Sequence, residues 1–173
     1  MNTKTNDNLF DLLKELSKAN IKYVVCGGVA CVLQGVERAT FDLDIAFSFT
    51  KEDLDKLLKI TEKFKLTPRI PEPVKNLYDE EKREKWVREK GALVYTFFSS
   101  SGPLQIDIFL SYPISFQELF VNADIIKVEG LEVYVSSKED LLKAKKKIIP
   151  LRDKDKIDIK ELKKLIGEKK KTD

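Results

Sequence analysis

Residues 23–47, YVVCGGVACVLQGVERATFDLDIAF, decide the fold. Tyr23-Val24-Val25-Cys26 is a short apolar run of strand character, ended by the pair Gly27-Gly28, which opens a short helix closing near Gly35. A second strand, Thr40 to Ser48, then carries Asp42 and Asp44 one residue apart. Side chains at i and i+2 of a strand share a face and lie about 6.5–7 Å from each other. Two like charges held that way repel and add nothing to packing. A divalent cation neutralises them most economically, and such an ion is also the usual starting point of phosphate chemistry.

The surrounding chain limits what this unit can be. It has 173 residues, 42% hydrophobic and 35% charged, enough for one domain with an ordinary core. We expect a single domain over 1–173, with a core at about 20–136, C-terminal helices at about 137–167 and a frayed tail at 168–173. No apolar run approaches the roughly 18 residues of a membrane span, and the start MNTKTNDNLF lacks the basic-then-apolar order of a secretory leader. The expectation is a cytoplasmic protein with no membrane partner. Charge is nearly balanced, 32 basic against 29 acidic residues for a net +3, which does not fit a nucleic-acid-coating protein. Basic residues do gather at Lys143, Lys145, Lys146, Lys147, Arg152 and Lys154 and in Lys169-Lys170-Lys171, a pattern that by itself reads as solvated helix face.

Histidine is absent. That removes Ser-His-Asp and Cys-His catalysis, imidazole zinc sites and histidine general bases together. Cys26 and Cys31 flank the glycine pair; with no other soft ligands they cannot form a structural zinc site. Both read as small buried residues, and a disulfide is not expected in a reducing compartment.

Outward from the central stretch, Leu9, Leu12, Leu13 and Leu16 mark a helix over Asn8 to Lys18, with Asn6 or Asp7 as its cap. Thr50 caps a helix from Lys51 to about Phe64, and Leu66 to Ile70 is a further short strand. Pro71 and Pro73 interrupt regular structure. Asp79 to Lys90 is helical but almost without an apolar stripe beyond Trp86 and Val87, hence surface-mounted. Leu93 to Ser99 and Leu104 to Leu110 flank Ser100-Ser101-Gly102-Pro103 as a hairpin, and Ile125 to Val128 and Leu131 to Val135 flank Glu129-Gly130 as a second. Ser136 or Ser137 caps a helix that Pro150 ends, and a last helix runs from about Lys154 to Ile166. The fold class is α/β (α+β): a mixed β-sheet with flanking helices and a short C-terminal helical segment.

A third carboxylate completes the pattern. Asp107 lies between Ile106 and Ile108 in an apolar strand, so it faces away from both and is awkward to bury unpaired. The GxxxxGK[ST] and GxGxxG phosphate loops are both absent. The order strand, Gly27-Gly28, helix, Asp42-Leu43-Asp44, then Asp107 on a later strand resembles the nucleotidyltransferases of the DNA polymerase beta-like superfamily. More closely, Gly27-Gly28-Val29-Ala30, Gly35 and Arg38-Ala39-Thr40 before the acidic pair resemble small stand-alone prokaryotic members, the abortive-infection toxin-type and lincosamide nucleotidyltransferase-like proteins. So do Glu139-Asp140-Leu141-Leu142-Lys143-Ala144-Lys145 and Arg152-Asp153-Lys154-Asp155-Lys156-Ile157-Asp158. The likeness spans about residues 20 to 165, without the stretch 65–92.

The resemblance implies a nucleotidyltransferase fold and a metal-dependent transfer of NMP from an NTP to an acceptor hydroxyl on a small molecule, RNA or protein. Asp42, Asp44 and Asp107 would be catalytic and would hold one or two Mg²⁺ ions; Asp107 could also take the acceptor's proton. Gly27, Gly28, Arg38, Thr40 and Lys145 would bind the nucleotide. Arg38 has a competing reading as a surface ion pair, and Lys145 as one of several lysines on an exposed face. Asp155 and Asp158 read slightly better as helix-start acids that satisfy amides and pair with Arg152 than as substrate contacts. Implied partners are an NTP, an unidentified acceptor and a cognate antitoxin; separately, and from size alone, the short C-terminal part leads us to expect a second copy of the chain completing the acceptor site. The competing functional reading is a low-activity nucleotide-binding or toxin–antitoxin interaction module that retains the fold. A glycosidase pair fits less well, because those enzymes keep one carboxyl protonated in an apolar pocket.

Overall fold

The computed structural model describes residues 8–172. α1 (Leu9–Lys18) buries Leu12, Leu13 and Leu16, and its cap is Asn8, whose side chain accepts from the Asp11 amide. Asn6 and Asp7, expected in that role, lie outside the described residues. β1 (Tyr23–Cys26) is buried throughout and runs straight into α2 (Gly27–Leu33). β2 (Asp42–Phe47) returns antiparallel beside β1. Thr50 accepts from the Asp53 amide to start α3 (Lys51–Lys63), followed by β3 (Leu66–Pro68). α4 (Glu80–Lys90) is polar, as its sequence predicts, and is anchored by Trp86 stacked on Tyr95 with ring centroids 5.8 Å apart.

β4 (Val94–Ser99) and β5 (Gln105–Phe109) form the first expected hairpin. α5 (Phe116–Asn122) follows, then β6 (Asp124–Val128) and β7 (Leu131–Val135), the second hairpin. Its turn places both Glu129 (φ 47°) and Gly130 (φ 84°) in the left-handed region, as a tight two-residue hairpin connection requires. Ser137 caps α6 (Lys138–Lys145), and α7 (Asp153–Thr172) ends the described chain.

The seven strands make one mixed sheet in the order β3-β4-β5-β2-β1-β7-β6. β2 lies parallel to β5 and β1 parallel to β7, and the remaining neighbours are antiparallel. The chain is therefore a mixed α/β structure with a seven-stranded sheet and seven α-helices among the described residues. None of those helices is long and apolar enough to cross a membrane.

The two faces of the sheet are unequal. On one, Leu43, Ile45 and Phe47 join Tyr95, Phe97, Ile106 and Ile108 and the inner residues of α1 and α3 in a large core. On the other, Val24, Cys26 and Ala46 meet Ile114, Leu119 and Ala144 in a smaller cluster, edged by the partly buried Phe109, Tyr112, Phe116, Phe120 and Ala123. Side chains alternate along β2, so Asp42 and Asp44 continue the Ala46 row where the cover from α5 gives out. The three acids singled out from the sequence lie toward that end of the lesser face.

Four segments differ from the expectation, the first being α6, which stops at Lys145, short of Pro150. Leu66 to Ile70 is strand only to Pro68, and a 3-10 turn at Val74–Tyr78 follows the two prolines. α5 was not expected, because its seven residues are too few to show a period; the Ser115-x-x-Glu118 capping pattern was the signal, and Ser115 does accept from the Glu118 amide. α7 continues helical through Thr172, where a frayed tail from 168 was expected.

Candidate functional site

Backbone register brings the carboxylates together. Asp44 of β2 pairs with Asp107 of the parallel β5, and Asp42 with Gln105. Asp44 is also opposite Cys26 of β1, and Asp107 opposite Thr96 of β4. Directly paired residues point to the same face with Cβ atoms about 4.5–5.5 Å apart. Asp42, Asp44 and Asp107 therefore share one floor, where the sequence showed only that the first two share a face.

The electrostatic consequence falls on Asp44. Burial, then Asp107, then Asp42 push its carboxyl up from 3.8 to about 7, against a hydrogen bond from the Gly28 amide and the charge of Lys145. Near neutral pH this group is half protonated for want of a counter-charge. Asp107 is gripped from its other side: Thr96 Oγ1 donates to its Oδ1 at 2.5 Å, and Gln105 Nε2 donates to both oxygens at 3.2 and 3.0 Å.

The glycine pair fits against this floor. Gly27 has φ +61°, and a Cβ there would overlap the Asp44 carboxylate. A Cβ on Gly28 would lie 2.7 Å from Thr40 Oγ1 and 3.2 Å from Arg38 Nη2. The missing side chains thus let Asp44, Thr40 and Arg38 close on one turn of backbone. The Gly28 amide is directed at Asp44, a use of the turn that the sequence did not reveal.

The cleft also holds, as a wall, a chain of ion pairs built on two buried aspartates. Asp158 Oδ2 accepts from Arg38 Nη1 at 2.6 Å and from Lys145 Nζ at 2.8 Å. Lys145 also reaches Asp155 Oδ1 at 3.1 Å, and Asp155 accepts from Arg152 Nε at 2.6 Å. Lys145 is only 7% exposed and the two aspartates 0% and 1%, so Lys145 is not part of the exposed lysine face. Burial opposes its charge, but its bonds to Asp158 and Asp155 more than compensate and leave its pKa above the ordinary value. Asp155 likewise lies below the usual carboxylate range, burial being outweighed by Arg152 and Lys145. Asp155 pairs with Arg152 as expected, but both aspartates serve side-chain cations rather than helix amides. Arg38 is an ion pair to a buried partner, and its Nη2 has no protein acceptor among the described residues.

Floor and wall enclose a cleft of about 810 Å³. Its lining includes Gly27, Gly28, Arg38, Thr40, Asp42, Asp44, Asp107 and Lys145, all the residues singled out from sequence, together with Arg152 and Lys154. Leu93, Phe109 and Tyr112 form an apolar side, and Phe41 and Ile149, 69% and 91% exposed, also border it. Cys26 stands beside Asp44 on the same face, but burial pushes its thiol up to about 12, and Cys31 up to about 11. Both are free and buried, so neither offers a thiolate nucleophile.

A metal must be judged by donor chemistry. Among the described residues no three acidic, histidine or cysteine side chains form a ready-made ion cage. The available donors are carboxylate oxygens, two of them uncompensated and in register. That set fits a hard cation of the Mg²⁺ kind, which keeps several waters and takes one or two carboxylates plus substrate phosphates instead of an all-protein cage. No family model and no curated protein matches the chain, so what the protein does must be argued from this cleft.

Proposed function

We propose that the protein has a nucleotidyltransferase fold and moves an NMP from an NTP to an acceptor hydroxyl, releasing pyrophosphate, with Mg²⁺ as cofactor. The observation that carries this reading is the pairing of Asp44 with Asp107 beside the Gly27-Gly28 turn, in a cleft whose other wall presents Arg38 and Lys145. Asp44 and Asp107, with Asp42 at the rim, would hold the cation, which supplies charge neutralisation of the triphosphate and activation of the attacking oxygen.

The chain's own groups do the rest. Arg38 offers its unused Nη2, and Lys145 its charge, to phosphate oxygens. Thr40, beside Gly28, adds a hydroxyl at the same place. The acceptor oxygen attacks the α-phosphorus, the bond from that phosphorus to the departing pyrophosphate breaks, and the acceptor's proton passes to Asp107, no histidine being present to take it. A carboxyl near 7 such as Asp44 also suits the acid of a glycosidase. The glycine turn beside the acids and the unused Nη2 of Arg38, whose other nitrogens are engaged, suit a phosphate better than a neutral sugar, and we favour phosphate.

Incubation of the protein with α-labelled NTPs, Mg²⁺ and a cell extract tests the reading. The expected result is label joined to an acceptor, lost in Asp107→Asn. No label from any NTP, with no nucleotide-dependent rise in unfolding temperature, would favour an interaction module that keeps the fold without turnover.

A further inference from the structure

Asp107 is the most heavily constrained of the three acids, and none of the residues that constrain it belongs to the recognised pattern. Thr96 is 8% exposed and sits directly across the β4–β5 ladder from Asp107. Its β-branched side chain is stiff at χ1, so its hydroxyl reaches Oδ1 from a fixed direction, at 2.5 Å. Gln105, two residues earlier on the same strand and face, spans both carboxylate oxygens with Nε2. Its amide is locked in that sense by Arg69, whose Nη2 donates to Gln105 Oε1 at 2.6 Å. Arg69 is in turn held by its own amide on Thr96 O at 2.9 Å, and its guanidinium lies 4.9 Å over the Phe98 ring. Thr96 approaches from β4 and Gln105 from along β5. Neither comes from the β2 side, where Asp44 stands, and Asp107 has no other side-chain donor among the described residues.

We propose that Thr96 and Gln105, with Arg69 fixing the amide, are positioning residues that aim the Asp107 carboxylate into the space it shares with Asp44 and so set how tightly the cleft holds a divalent cation. The inference rests on the reading of that space as a cation site. Partners of this second layer orient metal-binding groups elsewhere, and their loss lowers metal affinity by about 10–100-fold.

The test is calorimetric titration of the full chain with Mn²⁺, without nucleotide, so that the result does not depend on turnover. Thr96→Val should bind Mn²⁺ at least about tenfold more weakly than wild type, and Gln105→Met more weakly in the same sense, while Thr96→Ser, which restores the hydroxyl, should recover most of the affinity. Gln105 is only half buried, so its variant keeps the test open should Thr96→Val fail to fold. Wild-type affinity in both Thr96→Val and Gln105→Met would overturn the positioning role while leaving the cation site standing. Absence of Mn²⁺ binding in wild type itself would overturn both.

Discussion

The cleft holds two sets of acids treated in opposite ways. Asp155 and Asp158 are the more deeply buried, yet each is bonded to two cations. Asp42, Asp44 and Asp107 are less buried and share a floor, but none of them forms an ion pair among the described residues, and Asp44 rises to about 7. Burial pushes up both Asp44 and Asp155, but only Asp155 has bonded cations that outweigh it, while Asp44 has Asp107 and Asp42 adding to it. A buried pair that is internally compensated holds the molecule together, whereas an acidic pair left uncompensated is poised for something that arrives from outside.

The largest effect that could break this contrast is on turnover. Asp44→Asn and Asp107→Asn should each reduce the proposed nucleotidyl transfer below detection with circular dichroism unchanged. Asp44→Asn should also stabilise the metal-free protein. The sign follows from linkage: with a folded pKa near 7 and an ordinary value of 3.8, the folded state holds the extra proton, so stability is full below about pH 4 and falls as pH rises through 7. The penalty at pH 8 relative to pH below 4 is about 4 kcal/mol, of which about 3 kcal/mol arises between pH 5 and pH 8, and a denaturation series at those two pH values should show that difference in wild type and not in the variant.

Lys145→Met should act in the other direction. It takes one of two cations from each of two buried carboxylates, Arg38 and Arg152 remaining, and removing a partner from a buried pair costs up to about 3–5 kcal/mol, visible as an earlier chemical-denaturation midpoint. If Lys145→Met were neutral and Asp44→Asn destabilising, the contrast between the two regions would be inverted. A smaller loss, about 1–2 kcal/mol, is expected from Gly27→Ala, where a left-handed residue gains a Cβ against Asp44; its Mg²⁺ response should weaken along with its stability. Smallest is Lys56→Ala, which opens an exposed i,i+4 pair with Glu52 and should change stability by less than about 0.5 kcal/mol.

The floor was legible in the sequence to the extent that its parts are local. Strand, glycine turn, helix and acidic strand occupy one short stretch, and Asp107 announced itself as a charge between two isoleucines. Its register against Asp44 was not readable, because β2 and β5 are parallel strands brought together across α3, β3, α4 and β4, and nothing local fixes such a pairing. The wall was harder still. Lys145 stands in a run of lysines, and only the packing of α7 against α6 shows that this one alone is enclosed. Thr96 and Gln105 are ordinary strand residues until β4 and β5 are paired. α5, which decides how much of the lesser face stays open, is a single short helix whose only advance sign was its cap.

The most direct test of the central claim is thermal unfolding of wild type and Asp44→Asn at pH 8, with Mg²⁺, with ATP and with both. The uncompensated floor predicts that wild type rises with Mg²⁺ and rises further with Mg²⁺ and ATP together, while Asp44→Asn starts higher and responds to neither. Equal starting temperatures and equal responses in the two proteins would contradict it.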